Sequence, residues 1–506
     1  MSPQTQLVFY SQPCFAQAVS QAVSQADSAD WKPVRTMSEL KRYSNCAPHF
    51  IARALLGMFF GSLLIVPHAA LAEDRLAEDR LNQANETAPV KNNDWPQWRG
   101  ADRDGRWLEE GIVDQLTTDN LKLKWKQPLG NGYSGPTVAN GRVFVMDREI
   151  EPEQIESIRC FDAETGKPLW RHEYPAVYRI SYTAGPRTSV TIDGQFAYAL
   201  GAMGHLHCLQ VDSGAVAWTV DLNERYQISA SRRMPIWGIA ASPLVYQNVL
   251  VLMISGADGA AVVGLDKDSG QELWRALDDA GQYSSPILTE HNGQTLAICW
   301  TGESVAGIDP ATGKVHWRHP FPVVNMPIGV ATPIVKDGHI FLTSFYDGAM
   351  MLKMVDGEMA VEEVWRARGV NERSTKALHS IISTPIWIED HLYGVDSYGE
   401  LRCLRASDGE RVWENQMAVN RNRWGTIHFV PNGENIWMFN EQGEMVIGRL
   451  SPQGFDERSR VQLIKPTLLQ LPDQRRGGVC WSHPAFANRH VFVRNDEEII
   501  CYDVAQ

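Results

Sequence analysis

A tryptophan that closes segments such as "DAETGKPLW" and "DPATGKVHW" recurs at Trp125, Trp170, Trp218, Trp274, Trp317, Trp365 and Trp413, spaced 43–56 residues apart. Self-similarity at such a period demands repeated supersecondary units, each burying an apolar face against its neighbour. A second marker keeps the same rhythm. It is a small or polar residue followed by proline, at Pro136, Pro186, Pro243, Pro286, Pro333, Pro385 and Pro484. The last gap spans 99 residues and leaves room for one repeat without its proline. That repeat is "WGTIHFVPNGENIWMFNEQGEMVIGRL", which also lacks the terminal tryptophan.

Each period reads as four short strands. In "TPIVKDGHIFLTSFYDGAMMLKMV", Asp337-Gly338 is a two-residue turn between apolar runs, a strong hairpin signal. The Asp-x-x-Thr-Gly segments make a second tight turn, in which glycine supplies the positive φ. Stripes of helical period are missing, so helical solenoids are excluded. Four strands per period predict propeller blades. Eight inner-strand segments begin near Tyr133, Gly185, Ala241, Ser284, Ala331, Ser383, Thr426 and Ser482. The chain stops after "EEIICYDVAQ", the third strand of the last blade, and a surplus strand, "LKLKWKQPL", stands at the front. The expectation is an all-β, eight-bladed β-propeller of four-stranded antiparallel blades over residues 95–506. The N-terminal strand closes the ring, because an open ring would leave unpaired edges.

Residues 1–72 read as an export segment. Lys41, Arg42 and Arg53 precede an apolar run from Leu55 to Val66, followed by Ala70-Leu71-Ala72. This is the layout of a cleavable signal peptide with cleavage near 72/73. Met37 is a second possible start. Residues 73–94, with a duplicated "LAEDR", read as a linker. The formal charge of −13 becomes −15 once residues 1–72 are removed, which argues against nucleic-acid binding. Periplasmic or secreted location follows, with no integral membrane segment after cleavage; an uncleaved membrane anchor is the alternative. Of six remaining cysteines, Cys160, Cys208, Cys403 and Cys501 recur at one repeat position and read, with Cys299 and Cys480, as small buried hydrophobes.

The D-x-x-[ST]-G-x-x-x-W repeats over residues 121–506 resemble the PQQ-repeat propellers, the superfamily of quinoprotein alcohol dehydrogenases and the BamB outer-membrane assembly factors. "WPQWRGADRDG" resembles the opening of secreted PQQ-like repeat proteins. The resemblance implies that each repeat tryptophan docks on the neighbouring blade, a structural role. It implies either a binding scaffold or, by fold analogy, a dehydrogenase using PQQ with Ca²⁺. The dehydrogenases stack PQQ between a tryptophan and a ring of two adjacent cysteines. This chain has no Cys-Cys pair and no nucleotide, zinc-protease or serine-hydrolase motif, so no catalytic or metal residue is assigned. It also departs from BamB in that no cysteine follows the apolar run as a lipid attachment point.

Strand alternation places the first and third turns of each blade on one face, and the second turns and inter-blade connections on the other. The long segments 147–158, 222–236, 367–380, 416–423 and 465–478 all map to the second face. Those connections are basic, with Arg225, Arg232, Arg233, Arg373, Lys376, Arg421, Arg423, Arg475 and Arg476. Beside them stand Tyr182, Trp237, Tyr283, His379, Trp424 and Trp481. One reading is a funnel of arginine and aromatic side chains for an anionic or carbohydrate-like ligand or an acidic protein loop. The other pairs the arginines with local acids such as Glu224, Glu372 and Asp473 on a solvated rim. Arg99, Arg103 and Asp104 read either as a functional plug near the funnel or, the plainer reading, as part of an N-terminal strap anchored by Trp95 and Trp98 with an Arg–Asp pair; the strap is favoured. The protein is expected to be a monomer, a non-catalytic scaffold, with a PQQ-dependent dehydrogenase and a carbohydrate-binding accessory protein as alternatives.

Overall fold

A computed structural model describes residues 93–180, 182, 185–231, 233–469 and 477–506. The export segment and residues 73–92 of the linker lie outside the described residues. Eight four-stranded antiparallel sheets form an eight-bladed propeller. Blade one comprises Thr137–Ala139, Arg142–Glu149, Ile155–Asp162 and Pro168–Pro175, paired in chain order, and blades two to seven repeat this plan. Blade eight holds Ala485–Ala487, His490–Arg494 and Glu498–Asp503, completed by Lys122–Pro128. That strand pairs antiparallel with the last one, Lys122 opposite Asp503 and Pro128 opposite Glu498, and locks the ring. Among the described residues, no helix is long and apolar enough to cross a membrane.

The repeat motifs have a physical basis. Each blade tryptophan reaches into the next blade's third turn. Trp125 Nε1 donates to the Ala163 carbonyl (2.9 Å), Trp170 to Val211 (2.8 Å), Trp218 to Lys267 (3.1 Å), Trp274 to Pro310 (3.2 Å), Trp365 to Ala406 (2.8 Å) and Trp413 to Ser451 (2.9 Å). The indole also covers that turn's glycine: a Cβ on Gly313 would lie 2.6 Å from the Trp274 ring, and its φ is +73°. Glycine is therefore demanded twice, by space and by conformation. Trp317 departs from this pattern. The turn it faces, Val355-Asp356-Gly357, lacks the D-x-x-[ST]-G sequence, and Trp317 Nε1 is buried without a partner. Blade seven has no tryptophan to offer, and the anchor runs in reverse: Tyr502 Oη of blade eight donates to the Leu463 carbonyl (2.6 Å).

Hydroxyls one or two positions before the prolines bond across blades. Ser242 N donates to Ser285 Oγ (2.9 Å), Thr332 N to Thr384 Oγ1 (3.0 Å) and Ile427 N to Ser383 Oγ (2.9 Å). Regular pairing starts only after the proline, at Thr137, Leu244 or Ile386, later than expected from sequence. Proline has no N–H to give the ladder, so these residues look sideways for partners. The cysteines are free and buried, and Cys160, Cys208, Cys403 and Cys501 each lie opposite a blade tryptophan in register. Burial pushes the thiols of Cys160, Cys208, Cys299 and Cys480 up to about 12. Segment 147–158, expected as a long loop, is mostly strand; only 150–154 turns.

The strap crosses the face of the first and third turns. Trp95 pairs with Val138, Pro96 accepts from Ile192 N, Trp107 N donates to Pro431 and Val113 N to Val504. Arg103 is buried and donates to the carbonyls of Ser242, Pro243 and Pro286. The expected Arg–Asp pair is made by Arg106 (3.9 Å to Asp104); Arg99 instead donates to the Asp104 backbone carbonyl (2.7 Å). Backbone carbonyls of blades three and four converge there, and a guanidinium satisfies them at once.

Candidate functional site

In six blades the residue three before the repeat proline reaches the propeller axis. Tyr133, Ala240, Tyr283, Val330, Ile382 and Trp481 occupy that position in blades one, three, four, five, six and eight, and all line one axial pocket of about 120 Å³. Blade two adds Tyr182 and Arg187, blade three Trp237 and blade seven Trp424. Trp98 of the strap and His483 also line it. The lining thus joins side chains of the inter-blade connections, such as Trp237 and Trp424, with Trp98 of the strap.

Five of the aromatic residues singled out in the sequence meet here. The Tyr182 ring lies 5.6 Å from Trp237, 5.7 Å from Trp424 and 6.4 Å from Trp481, edge-on to each. Trp237 lies 5.1 Å from Tyr283 and Trp424 6.5 Å from Trp481. Such edge-on arrangements suit the aromatic quadrupole. Tyr182 holds φ at +64°, a conformation that tertiary packing must impose on a tyrosine.

His379 is not in this lining. It is fully buried, its Nδ1 donating to the Phe345 carbonyl (3.0 Å) and its Nε2 accepting from Gly369 N (3.1 Å). The ring therefore serves as a backbone staple between blades five and six. The rim arginines are drawn largely into local contacts. Arg233 pairs with Asp278 (2.5 Å). Arg423 lies 3.6 Å from Glu372, 3.3 Å from Tyr346 Oη and over the Trp424 ring at 4.6 Å. Arg421 approaches Glu400 at 3.6 Å, with 72% of its side chain exposed. Arg232, Arg475, Arg476 and Asp473 lie outside the described residues.

Sequence reading missed Trp98, Tyr133, Arg187 and His483. The three-before-proline position was the signal for Tyr133, whereas Trp98 reaches the pocket only through the strap's path. The Arg187 guanidinium stands 4.9 Å over the Tyr133 ring, and burial holds its pKa below the ordinary arginine value. Burial raises Tyr182 and Tyr283, so both phenols stay neutral at neutral pH.

Among the described residues, the lining holds no carboxylate and no side-chain amide. Among the described residues, no group of three or more His, Cys, Asp or Glu is placed to hold a metal ion. A hard cation needs six or more oxygen ligands. This donor set does not fit a calcium-bound quinone.

A family model described as outer membrane protein assembly factor BamB matches residues 154–415. The BamB of Shewanella oneidensis is 20% identical over 279 residues, covering 55% of this chain and 61% of its own length. The chain therefore spans about three fifths of that relative. The crystal structure of BamB from Moraxella catarrhalis superposes with a TM-score of 0.50 at 18% identity, covering 76% of this chain and 97% of that one. The quinohemoprotein alcohol dehydrogenase of Comamonas testosteroni superposes with a TM-score of 0.56 at 12% identity, covering 84% and 82%. At these identities the likeness concerns the fold.

Proposed function

Because the chain belongs to the family of the outer membrane protein assembly factor BamB, we propose that it is a non-catalytic propeller scaffold of the cell envelope whose connection face docks a protein partner. One observation carries this reading. Of the large apolar side chains left exposed, six sit on that one face. They are Ile150 in the second turn of blade one, and Val177, Ile236, Val324, Val370 and Met417 in five inter-blade connections, 51–85% exposed. Of the others, Leu169, Leu273, Val364 and Val412 directly precede blade tryptophans on outer strands, an ordinary consequence of strand periodicity, and Leu123 and Val216 lie two residues before one, across the outer-strand bulge, while Leu108 lies in the strap and Leu288 on an inner strand. The connections have no such excuse. Exposed apolar side chains around a basic, aromatic-centred depression are the features of a docking surface.

Arg421, Arg373 and Lys376 add positive charge among those side chains, favouring a partner loop with acidic flanks. The test is site-specific photo-crosslinking in whole cells, with the probe at Ile236 or Val370 and, as control, at Leu169 or Val412. Crosslinked protein adducts are expected at the first pair only. Equal adducts at all four positions would refute the docking face, and dye-linked alcohol oxidation after addition of PQQ and Ca²⁺ would replace the scaffold by the dehydrogenase reading.

A further inference from the structure

The axial pocket is rich in rings and poor in hydrogen-bond partners, and two polar atoms of its lining are buried unpaired: His483 Nε2 and Trp237 Nε1. His483 occupies the position just before the repeat proline, where blades three to six carry serine or threonine. It is 4% exposed and packed against Trp98, ring centres 5.2 Å apart. Its Nδ1 lies 2.5 Å from the Pro484 carbonyl oxygen. A carbonyl only accepts, so Nδ1 carries the proton and Nε2 presents a bare lone pair. Burial, aided by His428 and Arg99, holds the ring's pKa well below the ordinary histidine value, so it stays neutral. The Trp237 indole N–H can only donate. Each unpaired buried group carries a desolvation cost that a ligand matching it would remove.

The rest of the lining narrows the ligand. Tyr133, Trp424 and Trp481 offer ring faces and edges to a flat apolar body. Arg423 lies over the Trp424 ring and Arg187 over the Tyr133 ring, so a cation seeking those faces meets positive charge already in place. A sugar would bring many hydroxyls to a wall with few partners for them.

We propose that the axial pocket binds a neutral hydroxylated aromatic ring, a phenol, whose hydroxyl donates to His483 Nε2; a ligand that also carries an acceptor at its opposite end takes the proton of Trp237 Nε1 in a hydrogen bond and binds more tightly. The assignment rests on reading the connection face as the binding face and names the chemistry at its centre. A phenol reaches the pocket either as a free small molecule or as a tyrosine side chain of a docked partner.

Ligand-observed NMR titrations of the full chain at neutral pH compare two pairs: p-cresol with toluene, and N-acetyl-tyrosinamide with N-acetyl-phenylalaninamide. The hydroxylated member is expected to bind about tenfold or more tightly, as when a site built for a hydroxyl meets its analogue. Preference in the first pair alone marks a free phenol, and in the second alone a partner's tyrosine. His483→Phe is expected to level the preference. Since His483 packs against the strap, Trp237→Phe provides a second variant on the partly exposed wall. It is expected to weaken 4-hydroxybenzamide severalfold while keeping the p-cresol preference. Equal affinity within both pairs, or no binding by any of the four, would overturn the proposal. Crosslinking at Ile236 and Val370 is read separately, so loss of the pocket assignment leaves the docking face standing, and the reverse.

Discussion

Trp274 and Trp317 occupy the same repeat position and are each 7% exposed, yet only Trp274 finds a carbonyl for its indole N–H. Replacing each in turn by phenylalanine turns this contrast into a measurement. Both substitutions remove part of an indole from a packed interface, roughly 40–60 Å² of apolar contact, or about 1–1.5 kcal/mol at 25 cal/mol per Å². That term is common to the two sites. Trp274→Phe additionally breaks the 3.2 Å hydrogen bond and strands the Pro310 carbonyl, at a cost of about 1–2 kcal/mol. Trp317→Phe instead relieves a buried donor that has no partner, which offsets part of its packing loss. The expected outcome is that Trp274→Phe is the more destabilising by about 1–3 kcal/mol. Equilibrium urea unfolding followed by circular dichroism measures the difference without relying on tryptophan emission. Equal losses, or a larger loss at Trp317, would refute the view that the repeat tryptophan works as a hydrogen-bonded anchor as well as a filler.

Gly313→Ala should cost about 2–4 kcal/mol, since the new Cβ meets the Trp274 ring at 2.6 Å on a positive-φ backbone. Gly357→Ala, equally positive in φ but with open space, should cost about 1 kcal/mol; similar urea midpoints for the two would contradict the steric account. Burial depresses the pKa of His428 to about 4 in the folded protein. The unfolded chain therefore takes up that proton first, near the ordinary histidine value of about 6.5. Stability should be level above pH 6.5 and decline as the pH falls from there toward 4. His428→Gln should make that slope shallower in urea titrations across the range, with His483 and the other buried histidines supplying the remainder, and an unchanged slope would count against it.

How much was legible in the sequence differs between fold and site. The blade count, the closing strand and the buried role of the cysteines follow from recurrent local signals, and the structure has them. Five aromatic residues of the pocket were legible because they stand beside the basic connections, at or near the entries of the inner strands. His379 misled because its neighbours looked the same in sequence, while its ring turned inward to staple Phe345 to Gly369. The rim arginines had two readings, and contact geometry draws Arg233, Arg421 and Arg423 toward Asp278, Glu400 and Glu372.

By itself the sequence determined the architecture, because period, turn glycine and docking tryptophan each act over short range and recur in most of the blades, the tryptophan seven times. Only the tertiary structure decided what stands at the axis. Trp98, Arg187 and His483 come from three distant stretches of chain, and no local rule relates a strap residue to a blade that follows it by hundreds of positions. Whether a side chain faces the axis, a neighbour's carbonyl or an opposing acid depends on closing the ring, and closure is a property of the whole.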